Sequence, residues 1–197
     1  KPVKYDDAIK YLDERVDQVY QNKNQELIWF LEHKSVYTCG VNFNQKDILD
    51  KNVKIVKTNR GGKITWHGPG QLICYFVLDI SKRKKDIRKF ITVIENSIIE
   101  TLKDFKISSF SDRKNIGIWV LDKKEEKKIA AIGFRVKKWI AFHGFSLNLS
   151  NNLDNYKKIV PCGISDKGIS KIDNFKKVSK DKIINRLKIN LIKNLKY

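Results

Sequence analysis

The sequence predicts an α+β domain, a mixed β-sheet with helices packed on it. Three observations carry that expectation. Three stretches repeat apolar residues at helical spacing, short runs of branched and aromatic residues lie between them, and no repeat or long linker divides the 197 residues. The length fits one domain spanning 1–197.

The elements follow in chain order. Residues 5–22 place Ala8, Ile9, Leu12, Val16, Val19 and Tyr20 at three- and four-residue spacing, with Asp6 and Asp7 suited to a helix start. Leu27-Ile-Trp-Phe-Leu31 reads as a buried strand leading into Glu32-His33 and Val36-Tyr-Thr-Cys39. Residues 52–58 alternate as a half-buried strand. Residues 59–71 hold four of the ten Gly and one of the three Pro, so they read as a shaped loop. Residues 72–80 form another strand, and Ile87, Phe90, Ile91, Ile94, Ile98 and Leu102 set out a second helix. Residues 117–122 and 128–139 read as a hairpin around a charged turn at 123–127, and 140–149 extend the sheet. A third helix covers 181–195, capped by Ser179.

Composition narrows the function. At 41% hydrophobic and 11% aromatic the chain can bury a core, which excludes disorder and collagen-like architectures. The 41 Lys+Arg against 22 Asp+Glu give a formal charge of +19, which fits nucleic acid, an anionic membrane surface or an acidic protein partner. Only seven of the basic residues are Arg, the side chain that reads phosphates and bases best, so nucleic acid is disfavoured. The joint wealth of Lys, Ile and Asn matches A/T-biased codons, and part of the charge is decoration. It is densest in 82–89 and in 167–197, which read as solvated faces before docking patches.

Cys39, Cys74 and Cys162 are odd in number, far apart and without a CxxC, so neither a disulfide framework nor a zinc ribbon is expected. A reducing, cytoplasmic setting fits. No apolar run nears the ~18 residues of a membrane span, and the segment before Tyr5 does not read as a signal peptide. The chain begins with Lys1 rather than Met, which leaves its N-terminal completeness open.

Chemistry gathers near the glycines. His67 lies in His-Gly-Pro-Gly after Arg60-Gly-Gly, a loop whose N–H groups and guanidinium suit an acyl carbonyl, a carboxylate or a phosphate; a wide turn is the plain alternative. His33 and His143 have no carboxylate at metal-ligand spacing, so no metal is expected. Cys162 sits on a Pro-Cys-Gly turn that exposes a thiol, whereas Cys74 reads as a buried hydrophobe and Cys39 as structural. A nearby cation favours the reactive thiolate. Lys128 opens Lys-Ile-Ala-Ala-Ile-Gly, yet by counting alone it is one more surface lysine.

Five ordered segments resemble the octanoyltransferases of lipoate biosynthesis, from about residue 32 to 164. They are Leu31-Glu-His33 with Val36-Tyr-Thr38; Arg60-Gly61-Gly62-Lys63-Ile64-Thr65-Trp66-His67-Gly68-Pro69-Gly70-Gln71-Leu72; Lys128-Ile-Ala-Ala131-Ile132-Gly133; His143-Gly144-Phe145-Ser146-Leu-Asn148; and Pro161-Cys162-Gly163-Ile164. The resemblance implies a fold like that of lipoate and biotin protein ligases. It implies octanoyl transfer from octanoyl-acyl carrier protein to a lysine on lipoyl domains, those of 2-oxoacid dehydrogenase E2 subunits and glycine cleavage H protein, with no cofactor. Cys162 then matches the nucleophile and Lys128 the lysine that assists it and shuttles protons. Arg60 to His67, Ala131 to Gly133 and Gly144 to Ser146 match the acyl-binding stretches, with His143 a supporting residue and Ile132 and Phe145 walls of an acyl tunnel. Backbone amides near Cys162 and in the Gly-rich loop are expected to hold the oxyanion. Trp66 stands where the family usually has Tyr, and Ser146 where Ala is common, which bears on pocket shape. The nearest alternative is an ATP-dependent lipoate ligase of the same fold, which needs no cysteine; a basic nucleic-acid-binding module is the alternative from another class.

Overall fold

The computed structural model describes residues 1–164 and 166–197. Helix α1 (Tyr5–Tyr20) buries Ala8, Leu12, Val16 and Val19, the i, i+4, i+8 and i+11 stripe of the sequence. It stops short of residue 22 because Asn22 turns left-handed, with φ 55°. Strand β1 (Leu27–Leu31) follows, then β2 (Val36–Cys39) and β3 (Ile55–Lys57). β3 is shorter than the alternation predicted and runs parallel to β2.

The predicted loop at 59–71 contains a strand, β4 (Ile64–His67), antiparallel to β2 from Val36↔His67 to Cys39↔Ile64. Branched and aromatic side chains in Ile-Thr-Trp-His suit a pleat. The flanking glycines masked that run. β3, β2 and β4 form a small second sheet that the sequence did not foreshadow.

β5 (Gln71–Asp79) is buried along its whole length. Its alternate residues enter different cores: Leu72, Cys74, Phe76 and Leu78 pack toward α2 (Ile87–Asp104), and Ile73, Tyr75 and Val77 pack toward α1. Helices cover both faces, which is why the strand reads as a continuous apolar run. The Asp86 side chain caps α2 by accepting the Lys89 N–H at 2.9 Å.

After β6 (Phe110–Ser111), strands β7 (Ile118–Asp122) and β8 (Glu125–Lys137) form the expected hairpin. Its turn is tighter than 123–127: Lys123 and Lys124 alone make it, both at positive φ. A second two-residue turn at Lys138 and Trp139 leads into β9 (Ile140–Asn148). The large sheet runs β1-β5-β9-β8-β7-β6, and β10 (Gly168–Ile169) pairs parallel with β8.

α3 (Lys180–Asn194) packs Ile183, Leu187 and Leu191 inward. Asn190 donates to Thr101 Oγ1 of α2 at 3.0 Å, tying the two helices on that face of the sheet. Ser179 occupies the N-cap position, but its side chain makes no capping bond.

Candidate active site

Pro161, Cys162 and Gly163 form one tight 3-10 turn, opened by the preset φ of proline. Cys162 lies at φ 57°, ψ 13°, a left-handed conformation unusual for a side-chain-bearing residue and common at functional sites. Its thiol is partly exposed, whereas Cys39 and Cys74 are buried. Burial alone pushes the Cys74 thiol up, which keeps it inert at neutral pH. The Gly163 and Ile164 N–H groups donate inside the turn, to Val160 O and Pro161 O at 3.0 and 3.1 Å. Of the backbone amides near Cys162 expected to hold an oxyanion, these two are engaged within the turn.

Lys128 is no surface lysine. It is 4% exposed, while Lys127 beside it reaches out to Glu125. The cause is a bulge: Ile118 pairs with Ala130 but Trp119 pairs with Lys128, so Ile129 is an extra residue in β8. A bulge re-aims the side chains around it. Lys128 Nζ donates to Ile116 O at 3.0 Å. Its backbone is held from the other side by β10, where Ser170 N–H donates to Lys128 O at 2.9 Å.

The Gly-rich segment is shaped by Arg60. Its guanidinium is buried and donates to Gly61 O at 2.9 Å, Thr38 O at 2.9 Å and Lys63 O at 2.8 Å, pinning the loop onto β2. The loop then lies against β8, where a Cβ on Gly133 would stand 3.1 Å from Gly61 O.

His67 is buried and bonded through Nδ1 to Gln71 Oε1 at 2.8 Å. Burial, then the Arg60 charge, then His33 drive its pKa down to about 3. His143 sits in β9 at φ 67°, with Nε2 2.8 Å from Asn59 Oδ1. Burial, Arg60 and Arg135 bring it to about 3 as well. Both imidazoles are therefore neutral at pH 7.

These groups converge on a cavity of about 660 Å³, within the usual range for a small-molecule site. Cys162, Lys128, Arg60, Gly61, Gly62, Lys63, Ile64, Thr65, His67, Ala131, Ile132, Gly133, His143, Gly144, Phe145 and Ser146 all line it. Trp66 does not. β4 alternates, so the Trp66 ring packs with Cys39, Tyr156 and Ile159 and donates to Ser35 Oγ at 2.9 Å. The Tyr-to-Trp departure thus lies outside the cavity wall, and Ser146 lies in it. Sequence reasoning missed the apolar and aromatic Ile73, Tyr75, Ile87, Ile91, Ile116, Phe134 and Val136 and the polar Asn42, Lys114 and Asn115, which also line it. Ile87 and Ile91 were visible as an i, i+4 pair, but periodicity cannot tell a cavity wall from a core.

A second, smaller hollow touches both Cys162 and Lys128, together with Thr65, Ser146 and Tyr156. Burial, and then the charge of Cys162, push the Tyr156 phenol up. Among the described residues no cluster of three His, Cys, Asp or Glu could hold a metal ion, and no helix is long and apolar enough to cross a membrane.

Residues 4–192 match the lipoyl protein ligase A/B catalytic domain model. An octanoyltransferase of Wolbachia pipientis subsp. Culex pipiens is 44% identical over 170 residues, covering 86% of this chain and 83% of the relative. The chain belongs to the octanoyltransferase family. An octanoyltransferase of Bartonella bacilliformis is 43% identical over 180 residues, covering 86% of this chain and 75% of that one. The family's fold extends to distant structures. A lipoate-protein ligase A bound with ATP superposes with TM-score 0.72 at 15% identity, over 91% of this chain and 78% of that one. The biotin protein ligase of Aquifex aeolicus in complex with biotin and ATP gives 0.53 at 15% identity, over 81% and 70%. These likenesses bear out the ligase-like α+β fold expected from the sequence.

Proposed function

We propose that this protein transfers an octanoyl group from octanoyl-acyl carrier protein, through a thioester on Cys162, to the lysine of lipoyl domains. Its acceptors are lipoyl domains of 2-oxoacid dehydrogenase E2 subunits and glycine cleavage H protein. The observation that carries the reading is that Cys162 and Lys128 border the same two hollows, the larger of which is also lined by the glycine-shaped loop and an apolar wall.

The Cys162 thiolate attacks the donor's thioester carbonyl, forming a new S–C bond. The tetrahedral adduct collapses, the donor's sulfur leaves, and it takes a proton from the Lys128 ammonium. The exchange is thioester for thioester, so the acyl group stays activated without ATP. The acceptor's neutral amine then attacks the same carbonyl and gives its proton to Lys128 as Cys162 leaves as thiolate. The amide forms and the starting pair is restored. With the Gly163 and Ile164 N–H groups taken, the oxyanion falls to the other backbone amides near Cys162 and to donors on the Gly-rich loop. The apolar wall of Ile132, Phe134, Phe145, Ile87 and Ile91 takes the acyl chain.

The test is an ATP-free assay with purified octanoyl-acyl carrier protein and a lipoyl domain. The acceptor is expected to gain one hydroxylamine-stable octanoyl amide. Turnover of free octanoate that requires ATP identifies a ligase instead, and strongly salt-dependent nucleic-acid binding with no acyl transfer identifies a basic binding module.

A further inference from the structure

Lys128 presents a buried ammonium that forms no ion pair with a carboxylate among the described residues. The neighbouring acids among the described residues are engaged elsewhere: Glu125 with Lys127, Glu126 and Asp112 with Lys167, and Glu95 with the Gly117 N–H. Two groups face the ammonium instead. One is the Ile116 carbonyl at 3.0 Å. The other is the face of the Trp119 indole, whose centroid lies 4.8 Å from Nζ, inside the range where a ring quadrupole attracts a cation.

Both are fixed in place. Trp119 is 1% exposed, is the cross-strand partner of Lys128, and donates its Nε1–H to Asn115 O at 2.9 Å. The Ile116 carbonyl precedes Gly117, whose φ of 136° strains any other residue, and a Cβ there would stand 2.7 Å from Ala130 O and 3.2 Å from Lys128 Cε. Trp119 is not among the described residues that line either hollow, so it acts through Lys128 rather than on the substrate directly.

We infer that Trp119 is a positioning residue of the transferase, holding the Lys128 ammonium at the hollow it shares with Cys162 by a cation–π contact in place of a counter-ion. A carboxylate at this point would fix the proton on Lys128 and cancel its charge. A neutral ring holds the cation in position without cancelling its charge. Lys167 Nζ also lies 4.8 Å from the same ring, but it has two carboxylates and does not depend on it.

The inference rests on the reading of Lys128 as the partner of Cys162, and the experiment separates the two. Fluorinated tryptophans installed at position 119 alone weaken the ring's quadrupole and barely change its shape. The readout is iodoacetamide alkylation of Cys162 across pH, alongside octanoyl transfer, with thermal unfolding as the control for folding. Each added fluorine is expected to slow alkylation and move its profile to higher pH, reaching about threefold to tenfold for the tetrafluoro ring at neutral pH. Lys128→Met should lose more, and Lys167→Gln should match the parent. A tetrafluoro protein with the parent's alkylation profile, beside an impaired Lys128→Met, overturns the role of Trp119. An unimpaired Lys128→Met overturns the Cys162–Lys128 reading and the inference with it.

Discussion

His67 and Gln71 are joined from Nδ1 to Oε1 at 2.8 Å, and the proton in that bond has a determined place. Ser170 O can only accept, so the Asn148 amide nitrogen donates to it at 3.0 Å and Asn148 Oδ1 faces Gln71 Nε2 at 2.9 Å. Gln71 must therefore present its oxygen to His67. Nδ1 carries the proton, and Nε2 is an acceptor.

Gln71 is the hub of this network, fully buried and also 2.7 Å from the Tyr156 hydroxyl. Gln71→Met keeps the length of the side chain but strands His67, Asn148 and Tyr156. The loss should be about 2–4 kcal/mol of stability, read as a lower midpoint in urea with little change in slope.

The neutral histidines give the stability a definite pH dependence. The native state holds His67 and His143 unprotonated down to about pH 3, while free imidazoles protonate near 6.5. Between those values the unfolded chain binds more protons. Stability is full above about pH 6.5 and falls as pH drops toward 3, by up to about 1.4 kcal/mol per pH unit for each histidine. Urea melts at stepped pH should show this slope, and His143→Gln should flatten it.

Gly144 and Gly133 are partners across β9 and β8, and each faces crowded backbone. A Cβ at 144 would land on the Cys74 carbonyl oxygen, whereas one at 133 would press on Gly61 O at 3.1 Å. Gly144→Ala should lower stability by more than about 2 kcal/mol. Gly133→Ala should cost less and show mainly as weaker acyl transfer, because the loop must shift.

Lys127 and Lys128 are neighbours in opposite settings, one paired with Glu125 at the surface and the other buried at the cavity. Lys128→Met should impair acylation and transfer together. Lys127→Met removes one pair with a largely exposed Glu125 and should leave stability within about 0.5 kcal/mol and activity near the parent's. Equal effects from both would remove the distinction the bulge creates.

The charge of +19 should act on encounter rather than on chemistry. An acidic donor or acceptor is drawn to a basic surface over roughly a Debye length, ~8 Å at physiological salt. Raising salt is expected to raise the apparent KM for the acyl carrier protein more than it lowers kcat.

Much of this was legible in the residues. The helices announce themselves because each has one buried face, and β5 and β9 because both of their faces are buried. Cys162 and His67 stood out as rare residues in Gly- and Pro-containing segments, whereas Lys128 did not. What stayed hidden depends on partners distant in sequence. Nothing in Ile64 to His67 reveals that β2 supplies its pairing, and nothing in Lys127-Lys128 reveals the extra residue that turns one lysine inward. Trp66 looked like a cavity residue because it lies inside the Gly-rich segment, yet strand alternation points it away.

The most direct measurement of the central claim is the intact mass of the protein after incubation with octanoyl-acyl carrier protein in the absence of ATP. The account predicts a single octanoyl adduct, removed by hydroxylamine and missing in Cys162→Ser. An adduct mapped to Cys39 or Cys74, or one that persists in Cys162→Ser, contradicts it.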